Sequence, residues 1–177
     1  MSVDEWDFFS EFEAPESKGP VDVGASLEQA IAYVRANLDD GVRCPCCDKY
    51  ARRYRRSFNS TMARSLLWLV GEWEKNSQVG WVDVPMAGPR WLVKSNQLPT
   101  VRWWGMVERP PDTGDSALKH SGLWRPTDLG VRFALRQVRV PAKAVTYDGQ
   151  VEGLEGDEIT IVDALGKKFD YAELMRE

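Results

Sequence analysis

The chain has 177 residues, 43% hydrophobic and 28% charged, with 23 basic against 27 acidic side chains and a net charge of −4. Its hydrophobic share supports a packed core, and its length suits one domain with extensions or two small ones. No apolar run nears the ~20 residues of a membrane span, residues 1–16 lack the basic start of a secretory signal, and three cysteines in a charged chain fit a reducing compartment, so no membrane role and a cytoplasmic location are expected.

Charge is segregated along the chain. Residues 1–42 carry ten acidic and two basic side chains, a balance of −8. Residues 43–143 carry eighteen basic and eight acidic, +10, and residues 144–177 three basic and nine acidic, −6. A basic centre points to an anionic partner; acidic ends that simply fold back over it are the alternative. Seven of the eight tryptophans fall between Trp68 and Trp124. Most belong in a core, where each buries a large area, and others suit anchors at a partner surface.

In chain order, residues 1–25 form an arm in which Trp6, Phe8, Phe9 and Phe12 are interleaved with acidic side chains, as in segments that fold on a partner. Ser26, with Gln29 three residues on, opens a helix whose Leu27, Ala30, Ile31, Val34 and Leu38 follow helical spacing. Cys44-Pro45-Cys46-Cys47 is a tight turn, and residues 50–58 predict a strand or ribbon in which Arg52, Arg53, Arg55 and Arg56 surround Tyr54. Asn59 or Ser60 caps a second helix to about Lys75, with Met62, Leu66, Leu69, Val70 and Trp73 on one apolar stripe.

Residues 80–85 alternate and predict a short strand, and residues 89–94 a helical turn. Ser95 is the expected cap of a helix running to Trp104, with Gly105 as its left-handed stop. Residues 106–109 predict a strand, and residues 110–114 start a polar loop. Residues 121–125 return as a strand, and Thr127 caps a further helix. Residues 138–147 and 151 onward, joined by Asp148-Gly149, predict a hairpin, with residues 159–162 continuing the sheet and residues 170–175 closing as a short helix.

From residue 59 to 136 this order is that of a winged helix-turn-helix with one helix appended. Trp104-Gly105-Met106-Val107-Glu108-Arg109-Pro110-Pro111-Asp112, followed by Trp124-Arg125-Pro126-Thr127-Asp128-Leu129-Gly130, resembles the wing of the multiple-antibiotic-resistance regulators. In that family a recognition helix ends at Gly, a strand ending in Glu-Arg follows, and Leu-Thr-x-x-Gly opens the next helix. Pro126 replaces the usual Leu here, and the loop between the strands is long. The Cys-Pro-Cys-Cys turn, the Trp-Trp-Gly-Met-Val-Glu helix end and Asp163-Ala164-Leu165-Gly166-Lys167-Lys168-Phe169-Asp170-Tyr171 are also similar to uncharacterised bacteriophage and prophage proteins. That resemblance implies a phage origin and carries no activity.

The expected fold is therefore α+β: an arm over 1–25, a winged-helix domain with its preceding helix and Cys turn over 26–137, and a small β-rich element ending in a short helix over 138–177. A recognition helix reads the major groove near its N-terminus, which assigns base contacts to Asn96, Gln97 and Thr100. Lys94 and Arg102 meet phosphate or guanine, Ser95 offers backbone donors at the helix start, and Arg52, Arg53, Arg55, Arg56, Arg64 and Lys119 contact phosphate. Duplex DNA is the expected partner of a non-catalytic, phage-encoded transcriptional or host-takeover regulator acting in the bacterial cytoplasm, with a homodimer as one arrangement. The alternative is an adaptor that docks a host protein through Trp103, Trp104 and the aromatic arm.

Cys44 and Cys47 have the spacing of a zinc knuckle, and Cys46 or His120 are the further ligands within reach of the pattern. No second cysteine pair completes a ribbon, so the turn reads as a degenerate structural-zinc knuckle, as free thiols, or as a redox pair, the last least supported for want of a thioredoxin-like pattern. A single histidine leaves little for acid–base chemistry, and no phosphate loop, nucleophile elbow or His-Glu-x-x-His occurs. No catalysis is expected.

Overall fold

The computed structural model describes residues 26–111 and 122–176, and the chain divides into two compact units, Met1–Tyr54 and Arg55–Glu177. The protein is α+β, with short helices and three antiparallel sheets among the described residues. The aromatic arm, the 112–121 loop with Lys119 and His120, and Glu177 lie outside them.

In the first unit, α1 (Leu27–Ala36) begins in a reciprocal capping box: Gln29 N–H donates to Ser26 Oγ at 3.3 Å, and Ser26 N–H donates to Gln29 Oε1 at 2.8 Å. Ala30, Val34, Leu38 and Val42 are buried. β1 (Val42–Arg43) and β2 (Tyr50–Ala51) pair antiparallel around the cysteine turn. Gly41, at φ +85°, sits where the Tyr50 hydroxyl occupies the space of any Cβ, so both the backbone and the packing demand glycine.

The second unit is built around α2 (Ser60–Lys75). Asn59 caps it by accepting from Thr61 N–H and Met62 N–H, both at 3.0 Å, and one face buries Met62, Ala63, Leu66, Leu67, Leu69 and Val70. There follow β4 (Val82–Asp83), α3 (Val84–Ala87), α4 (Arg90–Ser95), α5 (Leu98–Val101), a 3-10 turn (Arg102–Trp104), β5 (Val107–Glu108), β6 (Leu123–Pro126) and α6 (Asp128–Ala134). β6 lies between β4 and β5, antiparallel to both. The chain ends in β7 (Val140–Tyr147), β8 (Gln150–Ile159), α7 (Ile161–Leu165) and α8 (Tyr171–Leu174). β3 (Tyr54–Ser57), β7 and β8 form the remaining sheet, with β7 in the middle.

One core joins these parts. Phe58 meets Trp104 edge-on at 4.9 Å and Phe133 at 5.4 Å, and Val140, Ala144, Ile161 and Leu165 are buried in the same cluster. Trp104 N–H donates to Pro141 O at 2.8 Å, and Tyr171 O–H donates to Ala134 O at 2.9 Å. α6 is clamped to the turn before β5. Thr127 N–H reaches Met106 O at 3.0 Å, Thr127 Oγ1 donates to Gly105 O at 2.7 Å, and Gly130 presses its bare Cα face against the Met106 carbonyl.

Four expectations differ from the structure. The helix expected from Ser95 is two helices: residues 90–95 are already helical, Ser95 Oγ donates back to Leu92 O at 3.0 Å, and Asn96 closes α4 in the left-handed region at φ 49°. Pro99 explains the break, since its ring would clash with the carbonyl of residue 95 in a continuous helix. The stretch 80–85 is strand only at Val82–Asp83, because Asp83 accepts from Met86 N–H and starts α3 with Pro85 in its first turn. Residues 50–58 form two strands rather than one, separated at Arg52 and Arg53. Residues 159–162 do not prolong the sheet: Thr160 and Asp163 form a capping box that begins α7. Asp148 and Gly149 do turn the β7–β8 hairpin, with φ of 47° and 72° as a type I′ turn needs.

Candidate nucleic-acid interface

Residues 84–111 hold four basic side chains, Arg90, Lys94, Arg102 and Arg109, all exposed, and one acidic, Glu108. Glu108 is used locally. Opposite Arg125 in the β5–β6 register, it accepts from Arg125 Nε at 2.6 Å, and that guanidinium also lies 4.3 Å over Trp81. Among the described residues no ion pair engages Arg90, Lys94, Arg102 or Arg109.

The turn through Gly105, at φ +68°, reverses the chain between the 3-10 turn and β5 and brings Arg109 back toward Arg102. Arg109 stacks 4.4 Å over Trp124. Its pKa is lowered first by burial and then by the positive charge of Arg102, which lines the same cleft. Arg109 was not among the expected contacts. Its signal in the sequence was the Glu-Arg at the end of the wing strand.

The other expected contacts are dispersed. Asn96 is exposed at the left-handed end of α4, and Gln97, half-buried, precedes α5 with its amide oxygen 3.4 Å from Asn59 Nδ2. Thr100 Oγ1 donates to Gln97 O at 2.6 Å. Arg64 points into a groove on α2, stacked 4.0 Å over Trp91 and 5.1 Å from Phe169. Arg55 pairs with Glu155 at 2.9 Å, and Arg56 is exposed on the same strand. Arg52 and Arg53 belong to the first unit, where Arg52 is exposed and Arg53 pairs with Asp39 at 2.7 Å. The structure thus gathers Lys94, Asn96, Gln97, Thr100 and Arg102 on one short stretch and leaves the Tyr50–Ser57 arginines partly in local ion pairs. Of the aromatic candidates, Trp103 is half-buried and Trp104 is a core side chain, 2% exposed, that presents no surface to a partner. Trp6, Phe8, Phe9 and Phe12 fall outside the described residues.

The cysteine turn is held by Cys44 N–H to Lys49 O and Asp48 N–H to Cys44 O, both 2.8 Å. Backbone N–H groups of Cys46 and Cys47 lower the Cys44 thiol pKa, while desolvation and the neighbouring thiols raise that of Cys46. Cys44 is half-buried, and Cys46 and Cys47 are exposed. Among the described residues no group of three or more His, Cys, Asp or Glu side chains is placed to hold a metal ion, and His120, one of the expected further ligands, lies outside those residues.

No helix among the described residues is long and apolar enough to cross a membrane. No family model, curated protein or solved structure matches this chain, so its function is read from the geometry above.

Proposed function

We propose that the protein binds duplex DNA through a winged-helix centre formed by α2 to α6, without catalysis, and acts as a phage-encoded transcriptional or host-takeover regulator. The element order and the sheet order β4–β6–β5 support the winged-helix reading: the first strand of such a fold pairs with the third, and the second and third flank the wing. The observation that carries DNA binding is the run of exposed basic side chains from Arg90 to Arg109 whose one acidic neighbour is engaged by Arg125. On this reading Asn96, Gln97 and Arg102 approach base edges at the short α5 and its 3-10 extension, and Lys94 and Arg109 meet phosphates.

The test is anisotropy of the full chain with generic duplexes across a salt series. Affinity is expected to fall by orders of magnitude between roughly 50 and 200 mM salt, and Lys94→Ala is expected to weaken binding to all sequences and lower the salt slope by about one. Absence of binding at low salt would overturn the reading in favour of protein docking. That second reading is favoured by Val79, Met86 and Val93, which are 73%, 86% and 48% exposed. A homodimer through α1 is favoured by Leu27 and Ile31, exposed four residues apart on its surface.

A further inference from the structure

We infer that the cleft between the 3-10 turn, the start of the wing and the tip of the β7–β8 hairpin binds a phosphate group. The cleft has a volume of about 530 Å³, and its lining includes Arg102, Trp103, Glu108, Arg109, Trp124 and Gln150. Two observations favour an anion.

Arg102 and Arg109 line the same cleft, both are exposed, and neither has an ion-pair partner among the described residues, which leaves two positive charges on one wall for an anion. Among the described residues the lining has one carboxylate, Glu108, and it is paired with Arg125 at 2.6 Å. Trp103 is part of the same wall, and its indole N–H, shielded from solvent and without an acceptor among the described residues, serves as a reporter of changes there. Arg109 is also fixed in place by its stack on Trp124, so little side-chain entropy remains to be lost on binding.

Guanidinium pairs suit phosphate because the planar fork donates two parallel hydrogen bonds to two oxygens. The size of the cleft admits a phosphate together with the group that carries it, and the hairpin tip at Gly149, Gln150 and Val151 closes one side. That hairpin stands outside the α2–α6 order. The site shares Arg102 and Arg109 with the DNA reading and in that part rests on it, and the phosphate is that of a nucleic-acid backbone or of a free phosphorylated molecule.

The experiment is a titration of the full-length, 15N-labelled protein with sodium phosphate at constant ionic strength, balanced by sodium chloride. The readout is the indole N–H resonance of Trp103, assigned by Trp103→Phe. A saturable shift with phosphate and none with chloride is expected, and Arg109→Gln or Arg102→Gln should weaken it about tenfold or more, as loss of a charge-assisted hydrogen bond does. Both arginines are exposed, and retention of the remaining indole resonances shows that each variant is folded. No saturable shift, a shift equal in chloride, or unchanged binding in both variants overturns the inference.

A parallel titration with duplex DNA identifies the source. Competition by inorganic phosphate, together with an Arg109→Gln loss of affinity shared by unrelated sequences, assigns the site to the DNA backbone. Phosphate binding that is lost in Arg109→Gln while DNA affinity is unchanged assigns it to a free phosphorylated molecule. A protein that binds phosphate at Trp103 but no DNA sinks the proposed function and leaves the site standing.

Discussion

Gly130→Ala and Gly71→Ala are the same chemical change in two helices, and the structure gives them opposite signs. Alanine is favoured over glycine in a helix interior by about 1 kcal/mol, so propensity alone stabilises both variants. At Gly71, in α2, an added Cβ meets nothing within 4 Å, and the full benefit of about 0.4–1 kcal/mol is expected. At Gly130, in α6, the Cβ would fall far inside 3.0 Å of the Met106 carbonyl oxygen, a backbone atom with no flexible side chain to yield. Relief requires α6 to withdraw from the Gly105–Met106 turn, straining the Thr127 bonds to Met106 O at 3.0 Å and Gly105 O at 2.7 Å. Two hydrogen bonds of about 1 kcal/mol each, with overpacking of about 1–3 kcal/mol, outweigh the propensity gain and leave a net loss of about 2–4 kcal/mol. Urea unfolding followed by tryptophan fluorescence and by circular dichroism measures both variants against the parent by linear extrapolation. A Gly130→Ala protein as stable as the parent would refute the close approach of α6 to the turn, and a destabilised Gly71→Ala protein would refute the open surroundings given to α2.

Two further outcomes follow from ionisable groups. The Asp163 carboxyl is held below its ordinary pKa first by Thr160 N–H, at 2.8 Å, and then by the Thr160 hydroxyl, at 2.7 Å. A folded-state pKa below the unfolded one means that its contribution is complete above the unfolded value, near 3.9, and is lost as pH falls through the folded one. The protection of α7 amides, taken relative to intrinsic exchange at each pH, should therefore fall on acidification below that range, and Asp163→Asn should remove this acid step; an identical acid profile in the variant would count against the capping box. At the cysteine turn, alkylation by iodoacetamide followed residue by residue by mass spectrometry should give Cys44 a lower pH midpoint than Cys46, since thiolate is the reacting form. A reversed order would show that the Cys46 and Cys47 N–H groups do not point at the Cys44 sulfur.

What was legible in the sequence was local. Ser26 with Gln29, Asn59, Thr127 and Asp148-Gly149 each satisfy backbone groups within four residues, so their identities suffice to place α1, α2, α6 and the hairpin. Ser95 failed because a serine before a proline-bearing segment serves the end of one helix as well as the start of another, and only Pro99 and the left-handed Asn96 decide between them. Thr160 was misread because the β-branched run Ile159-Thr160-Ile161-Val162 favours strand, although Asp163 three residues on was the competing signal. The site was less legible still. The stack of Arg64 on Trp91 joins residues 27 positions apart, and the meeting of Arg102 and Arg109 in one cleft depends on the reversal at Gly105, which composition does not encode. The Tyr50–Ser57 arginines looked alike in sequence, and the fold separates them by giving Arg53 and Arg55 carboxylates of their own.

The β7–β8 hairpin gives the acidic C-terminal third of the chain a different meaning. β8 is the longest strand and lies at the end of its sheet, so one row of its N–H and C=O groups faces outward among the described residues. A long open edge of this kind is a template on which a second chain can add a strand. Glu152, Glu155, Asp157 and Glu158 fall along it, Gly153 and Gly156 interrupt the side chains a partner strand would pack against, and the register slips between Pro141 and Lys143 opposite. Two such edges brought together would set carboxylate against carboxylate. The negative charge after residue 144 thereby opposes edge-to-edge pairing between copies of this chain, and neutralising those four side chains is expected to favour such pairing.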